Sequence, residues 1–211
     1  MITIKLLDSV EKISSDINQA IASSINSKIK KNSQATLYEI KKLIPNWVES
    51  QPEISSLYNQ APGTLFALLG LRSGDPQKAV KSIIDSVSDS ISIKIKPVDK
   101  KLSGGIEFYF QPQDFSNLLS LDEGFVIYGG GSLHWLDWML TRGSEIIVAN
   151  YYYSPEVGLG RSKQGIMEFG GSFRIPPQFS GTITDNFITR ALVGVKQEKE
   201  ISNVLEGVLL R

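Results

Sequence analysis

The chain contains no cysteine and a single histidine, His134. The first absence excludes disulfide staples, thiolate nucleophiles and thiolate-based zinc sites, and the second excludes any metal site built on two histidines. An excess of charge is missing as well: 22 basic and 22 acidic residues cancel, so no global field draws the protein to nucleic acid or to an anionic bilayer. No stretch approaches the roughly 18 uninterrupted apolar residues of a membrane span, and the opening MITIKLLDSVEKISSD lacks a basic segment followed by an apolar one. A non-secreted product that does not enter a membrane is expected. Internal repeats and low-complexity tails are also lacking, which favours one domain over residues 1–211.

What is present is an ordinary globular composition, 41% hydrophobic and 21% charged, in 211 residues, enough for one sizeable core. Ile13, Ile17, Ile21, Ile25 and Ile29 recur at a spacing of four, the mark of a helix with a narrow apolar stripe. Asp8 with Glu11 reads as a capping box, and Leu37, Ile40 and Ile44 carry the pattern to Pro45, which predicts one helix over 8–44. Serine and asparagine fill its other face and have modest helix propensity, so packing must hold it, on its own sheet or on a neighbouring subunit. Residues 45–90 read as a helical insertion: Pro52, Pro62, Gly63, Gly70 and Gly74 punctuate an apolar stretch, and Asp75-Pro76 opens a helix carrying Val80, Ile83, Ile84 and Val87.

At Ile91 the period switches to two. Ile91, Ile93 and Ile95 alternate with polar residues, and 106–110 can pair back on them as a hairpin. Further along, the pattern predicts a short helix near 113–119, a strand at 125–128, a helix over 132–140, and strands at 145–153 and 165–169. Gly170-Gly171 is expected to turn the chain into 172–175, and Pro176-Pro177 to make a rigid corner. A terminal helix capped by Thr184 or Asp185 is expected over 184–211, with Gly194 bending it and its apolar face returning toward the isoleucine stripe. Without βαβ alternation, the expected class is α+β, with residues 91–183 mainly antiparallel sheet.

Residues that could carry chemistry are few. Asp137 lies one turn from His134, a spacing that suits a surface hydrogen bond between packing tryptophans, and Ser132 precedes them. Ser132 with His134 defines a hydrolase-like alternative, although 129–133 reads Gly-Gly-Gly-Ser-Leu and lacks the Gly-x-Ser-x-Gly nucleophile elbow. Residues 158–165, Gly-Leu-Gly-Arg-Ser-Lys-Gln-Gly, are rich in glycine and carry two cations, but they do not follow the Walker order and a strand follows in place of a helix. The loop is expected to be mobile, with Arg161 and Lys163 available to a phosphate backbone or to acidic residues of a neighbour. Tyr151, Tyr152 and Tyr153 alternate across a strand, so at least one of them faces outward, at an interface or capping a core. Tyr152, Arg161 and Lys163 are the candidate inter-subunit residues. No catalytic, cofactor or metal-binding set is assigned.

The long first helix, the segment Gly165-Ile166-Met167-Glu168-Phe169, the phrase 171–179 (GSFRIPPQF) and Phe187-Ile188-Thr189-Arg190-Ala191-Leu192 in a terminal helix together resemble neck proteins of tailed bacteriophages. More narrowly, they resemble the tail-completion (minor tail) family. That resemblance implies two long helices on one face of a curved antiparallel sheet. It also implies a non-enzymatic structural protein of the virion, assembled in the host cytoplasm into a ring that joins head to tail. The implied partners are further copies of the chain, as a hexamer, and other neck and tail proteins. DNA crosses the implied channel with only non-specific proximity, and no cofactor or membrane takes part. Tail-terminator and baseplate rings are the neighbouring alternatives. The stretches 47–71 and 129–143 depart from the family's compact pattern.

Overall fold

The first helix, α1 (Val10–Lys41), is capped by Ser9, whose hydroxyl accepts the Lys12 backbone N–H at 3.2 Å in the computed structural model. The expected capping box on Asp8 is not formed: that carboxylate instead takes the Lys12 ammonium at 2.6 Å. Residues 8–155 and 160–209 are described. The opening residues 1–7, Gly158 and Leu159 of the glycine-rich loop, and the end of the expected terminal helix at 210–211 lie outside them. α1 ends at Lys41, not at residue 44, because Pro45 occupies the first turn of a separate helix, α2 (Ile44–Glu49), where a missing N–H is harmless.

After α2 come α3 (Pro52–Tyr58), α4 (Leu65–Leu68) and α5 (Asp75–Ser90). The stretch read as an insertion forms the centre of the molecule. Trp47, Ile54, Leu57 and Leu65 are fully buried, and Val80, Ile83 and Val87 of α5 close on them. Two later helices complete this core: α7 (Trp135–Leu140) through Trp135, Leu136 and Met139, and α8 (Phe187–Leu192) through Phe187, Ile188 and Ala191. Asp75 does not cap α5. Gly74, at φ +93°, takes the cap position while the Asp75 carboxylate accepts the Arg72 N–H at 2.8 Å.

The strands form β1 (Ser92–Lys96) with β2 (Gly105–Tyr109), β3 (Phe125–Tyr128) with β4 (Gly131–His134), and β5 (Val148–Ser154) with β6 (Ile166–Phe173). A short helix, α6 (Ser116–Leu119), and a 3-10 turn (Asp122–Gly124) separate the first two pairs. The α+β class holds, but among the described residues the strands form three separate antiparallel pairs and not one curved sheet. Helices pack beside the first two pairs, α1 on β1 and α7 on β3.

A hairpin turn falls at one glycine pair and is missing from the pair where it was expected. Gly129-Gly130 makes a two-residue hairpin turn between Tyr128 and Gly131, so Ser132 and His134 stand on a strand and the helix starts only at Trp135. Gly170-Gly171 instead lies within strand β6, where the two glycines oppose the single Asn150, at φ +62°, between the pairs Ala149–Ser172 and Tyr151–Phe169, a bulge of β6. Glycine in a strand marks a bulge as readily as a turn.

α8 is capped by Asn186, whose Oδ1 accepts the Thr189 N–H at 2.9 Å while its Nδ2 donates to the carbonyls of Leu140 and Thr182. Neither Thr184 nor Asp185 serves as the cap. Gly194, at φ +156°, separates α8 from the last helix, α9 (Val195–Leu209). α9 runs antiparallel to α1: Asn32 Nδ2 donates to the Val208 carbonyl at 3.1 Å, and Trp47 Nε1 to Glu200 at 2.5 Å. It therefore meets the C-terminal half of α1 and not the isoleucine stripe. The middle of that stripe is open, with Ile17 54%, Ile21 41% and Ile25 37% exposed. The adjacent side of α1 holds the β1–β2 hairpin through Ala22 and Ile29, and Asn26 both donates to the Val98 carbonyl and accepts the Val98 N–H.

Candidate functional site

β4 is short, and residues two apart on a strand share a face, so Ser132 and His134 project together from the β3–β4 hairpin. His134 is half-buried and stacked on Phe125, ring centroids 3.9 Å apart. Its Nε2 is buried and has no hydrogen-bond partner. Burial of the ring lowers its pKa below the ordinary imidazole value; Asp137 opposes this shift and the Arg142 charge adds to it. Asp137 turns away from the histidine to accept from the Thr141 hydroxyl and from Arg142 Nε, the latter at 2.8 Å. Burial raises the Asp137 pKa, but these donors outweigh it and hold the carboxyl below its usual range. Among the described residues no hydrogen bond joins Ser132 to His134, and no carboxylate orients the imidazole. A nucleophile, base and orienter in series are what serine catalysis requires. Nor, among the described residues, does any cluster of three or more His, Asp or Glu side chains present metal ligands.

Beside this hairpin lies a cleft of about 640 Å³. Its walls are largely apolar, drawn from Val126, Trp138, Tyr151, Tyr153 and Phe173, with Ser132, His134 and Arg161 among the polar groups.

Residues 160–165 fold back onto the body and build one wall of the cleft. Arg161 Nη1 donates to the Ile127 carbonyl, with its Nε buried and unpartnered. Ser162 is buried against the Ala67 carbonyl. The Tyr153 hydroxyl donates to the Gln164 carbonyl at 2.6 Å and accepts the Gly63 N–H at 3.2 Å. Glycine is required at 165 for close approach: a Cβ there would stand 2.5 Å from the Ser154 carbonyl oxygen. Gly160 and Gly165 thus serve the packing of this segment, and Arg161 points into its own chain. Lys163 is exposed at φ +60° in the turn closed by its N–H on the Gly160 carbonyl. Tyr152 is exposed on β5, its hydroxyl donating to Glu168 at 2.5 Å. The three candidate interface residues therefore separate into one that braces the fold, one at a turn and one on a strand face.

The surface missed by sequence reasoning is the β5–β6 ribbon itself. Phe169 is 82% exposed and meets Tyr151 edge-on, ring centroids 5.9 Å apart, and Met167 and Val148 are exposed beside them. Ile127, 75% exposed, and Tyr128 add a second apolar tip on the β3–β4 hairpin. The available signal was apolar residues at alternate positions, Met167 and Phe169, on a segment whose other face carries Ile166 and Glu168. Among the described residues, no helix is long and apolar enough to cross a membrane. Comparison with protein-family models, with curated proteins and with solved structures gives no match.

Proposed function

We propose that the protein is a non-enzymatic structural subunit that assembles through its exposed hairpins, and, on the resemblance of its termini, a neck or tail ring protein of a tailed bacteriophage. The β5–β6 ribbon carries this reading. A two-stranded ribbon is marginal alone in water, and one that exposes Phe169, Tyr151, Met167 and Val148 gains stability when a neighbour covers them. Net neutrality lets identical subunits approach without mutual repulsion. The ring would be homo-oligomeric and sixfold, with Tyr152 and Lys163 at the lateral contacts. Asp137's engagement with Thr141 and Arg142 supports the non-enzymatic half of the proposal.

Light scattering coupled to size exclusion, with negative-stain microscopy, tests it. Rings or closed oligomers are expected from the native chain, and Phe169→Ser is expected to disperse them while changing stability by no more than about 0.5 kcal/mol. A strictly monomeric protein with hydrolytic activity that disappears in His134→Ala would establish the Ser132/His134 alternative instead.

A further inference from the structure

We propose that the cleft beside the β3–β4 hairpin binds a monoanionic amphiphile, an apolar chain or ring system carrying one carboxylate or sulfonate, with Arg161 as the group that meets the charge. The proposal does not depend on the ring reading. At about 640 Å³ the cleft has the size of a small-molecule site. Leu69, Trp138, Ile147, Tyr153 and Phe173 give it aliphatic and flat aromatic walls. Its described lining holds no Asp, Glu or Lys, and burial keeps His134 neutral, so Arg161 is the one described lining residue charged at neutral pH.

That arginine lacks a counter-charge. It is half-buried, and among the described residues it enters no ion pair, whereas Arg142 meets Asp137 and Arg190 meets Glu53 and Asp185. Its Nη1 donates to the Ile127 carbonyl, which offers a dipole but no charge, and its Nε is enclosed without a partner. A guanidinium has five N–H donors, and a cation held against apolar walls is costly until an anion meets it. The segment holds it in place: Ser162 is buried against the Ala67 carbonyl, and the Tyr153 hydroxyl donates to the Gln164 carbonyl at 2.6 Å. Because Nε is enclosed, an incoming anion is met by the Nη2 side of the fork.

The walls and the charge together select the ligand. A neutral apolar molecule would leave the guanidinium unpaired, and inorganic phosphate would leave the rings wet. One lining cation balances one negative charge, so a nucleic acid, which needs several phosphate contacts, suits the cleft poorly. An amphiphile uses both features: its body covers Trp138, Tyr153 and Phe173 while its head group takes charge-assisted bonds from Arg161.

Two dyes that differ by one charge test this, anilinonaphthalene sulfonate and its uncharged parent phenylnaphthylamine, titrated against the full chain by fluorescence. The native chain is expected to bind the sulfonate at least about tenfold more tightly, the worth of a charge-assisted hydrogen bond. Arg161→Met is expected to abolish that preference while leaving the uncharged dye bound, and Arg161→Lys to keep part of it. Lys163→Met removes an exposed charge outside the lining and is expected to change nothing. Val148→Trp, at an exposed position on the cleft wall, is expected to weaken both dyes by filling the space. Displacement of the sulfonate by laurate assigns an aliphatic ligand, and by naphthoate an aromatic one; displacement by neither would overturn the proposal. So would equal affinity for the two dyes in the native chain, or a preference that survives Arg161→Met. A preference that emerges only in Glu156→Gln would assign the counter-charge to this chain and overturn it as well. Phe169→Ser is expected to bind both dyes as the native chain does, so the cleft and the ring fail separately.

Discussion

The helical centre and the β5–β6 ribbon are made of similar residues and treat them oppositely. Trp47, Trp135, Phe66 and Phe187 sit fully or almost fully buried among α2, α4, α7 and α8, whereas Phe169, Tyr151 and Tyr152 stand in solvent on a two-stranded ribbon. The difference is coverage: a short helix packs against several neighbours, while a hairpin with one helix or none beside it leaves a face open. Hydrophobicity at a position therefore says that a residue needs cover, and the fold decides whether its own chain supplies it. The open stripe of α1 repeats the lesson on a helix.

The sharpest way to break this contrast is to remove mass from both regions. Trp135→Ala is expected to cost about 3–5 kcal/mol, read by urea unfolding, because the fully buried ring leaves a cavity and the Glu123 carbonyl loses the indole donor. Phe169→Ser is expected to move the same curve hardly at all. An equal cost at the two sites would mean that the ribbon is covered within the monomer.

The second test concerns the charge held within the centre. Glu53 is fully buried on α3 and paired with Arg190 of α8, which also reaches Asp185 at 2.5 Å. Arg190→Met strands that carboxylate and is expected to cost on the order of 3 kcal/mol by chemical denaturation, with Glu53→Gln recovering part of it in the double variant. At the edge, Asn26→Ala removes both bonds to Val98 and is expected to cost about 1–3 kcal/mol, with faster amide exchange confined to the β1–β2 hairpin.

The smallest expected effect is a pH dependence. His134 has a lowered pKa in the folded chain, so the unfolded chain binds the extra proton first. The associated stability is fully present above the unfolded imidazole value of about 6.5 and is lost as pH falls through the lower folded value. Melting temperatures recorded downward from neutral pH should show this loss, and His134→Gln should flatten that part of the profile.

Much of the architecture was legible in the chain. Periodicity of four marked α1, alternation marked β1, and the Pro-Pro corner lies where the pattern put it, with Phe179 and Ser180 N–H groups closing on the Pro176 carbonyl. The candidate site was less legible. Ser132 and His134 were placed on a helix because a short run before Trp135 fits either period, and only pairing with Phe125 and Ile127 makes it a strand. Arg161 looked like an outward cation because sequence does not show that the Ile127 carbonyl, 34 residues away, needs a donor.

The sequence by itself determined the class, the long first helix, the α+β order of elements and the lack of thiol or paired-histidine chemistry, since each follows from local period or from residues that are not there. Tertiary structure alone decided that 45–90 lies at the centre, that the strands among the described residues stay as three separate pairs, and that Ile17, Ile21 and Ile25 are left open beyond the reach of α9. Burial depends on which distant surfaces meet, and no local pattern carries that information.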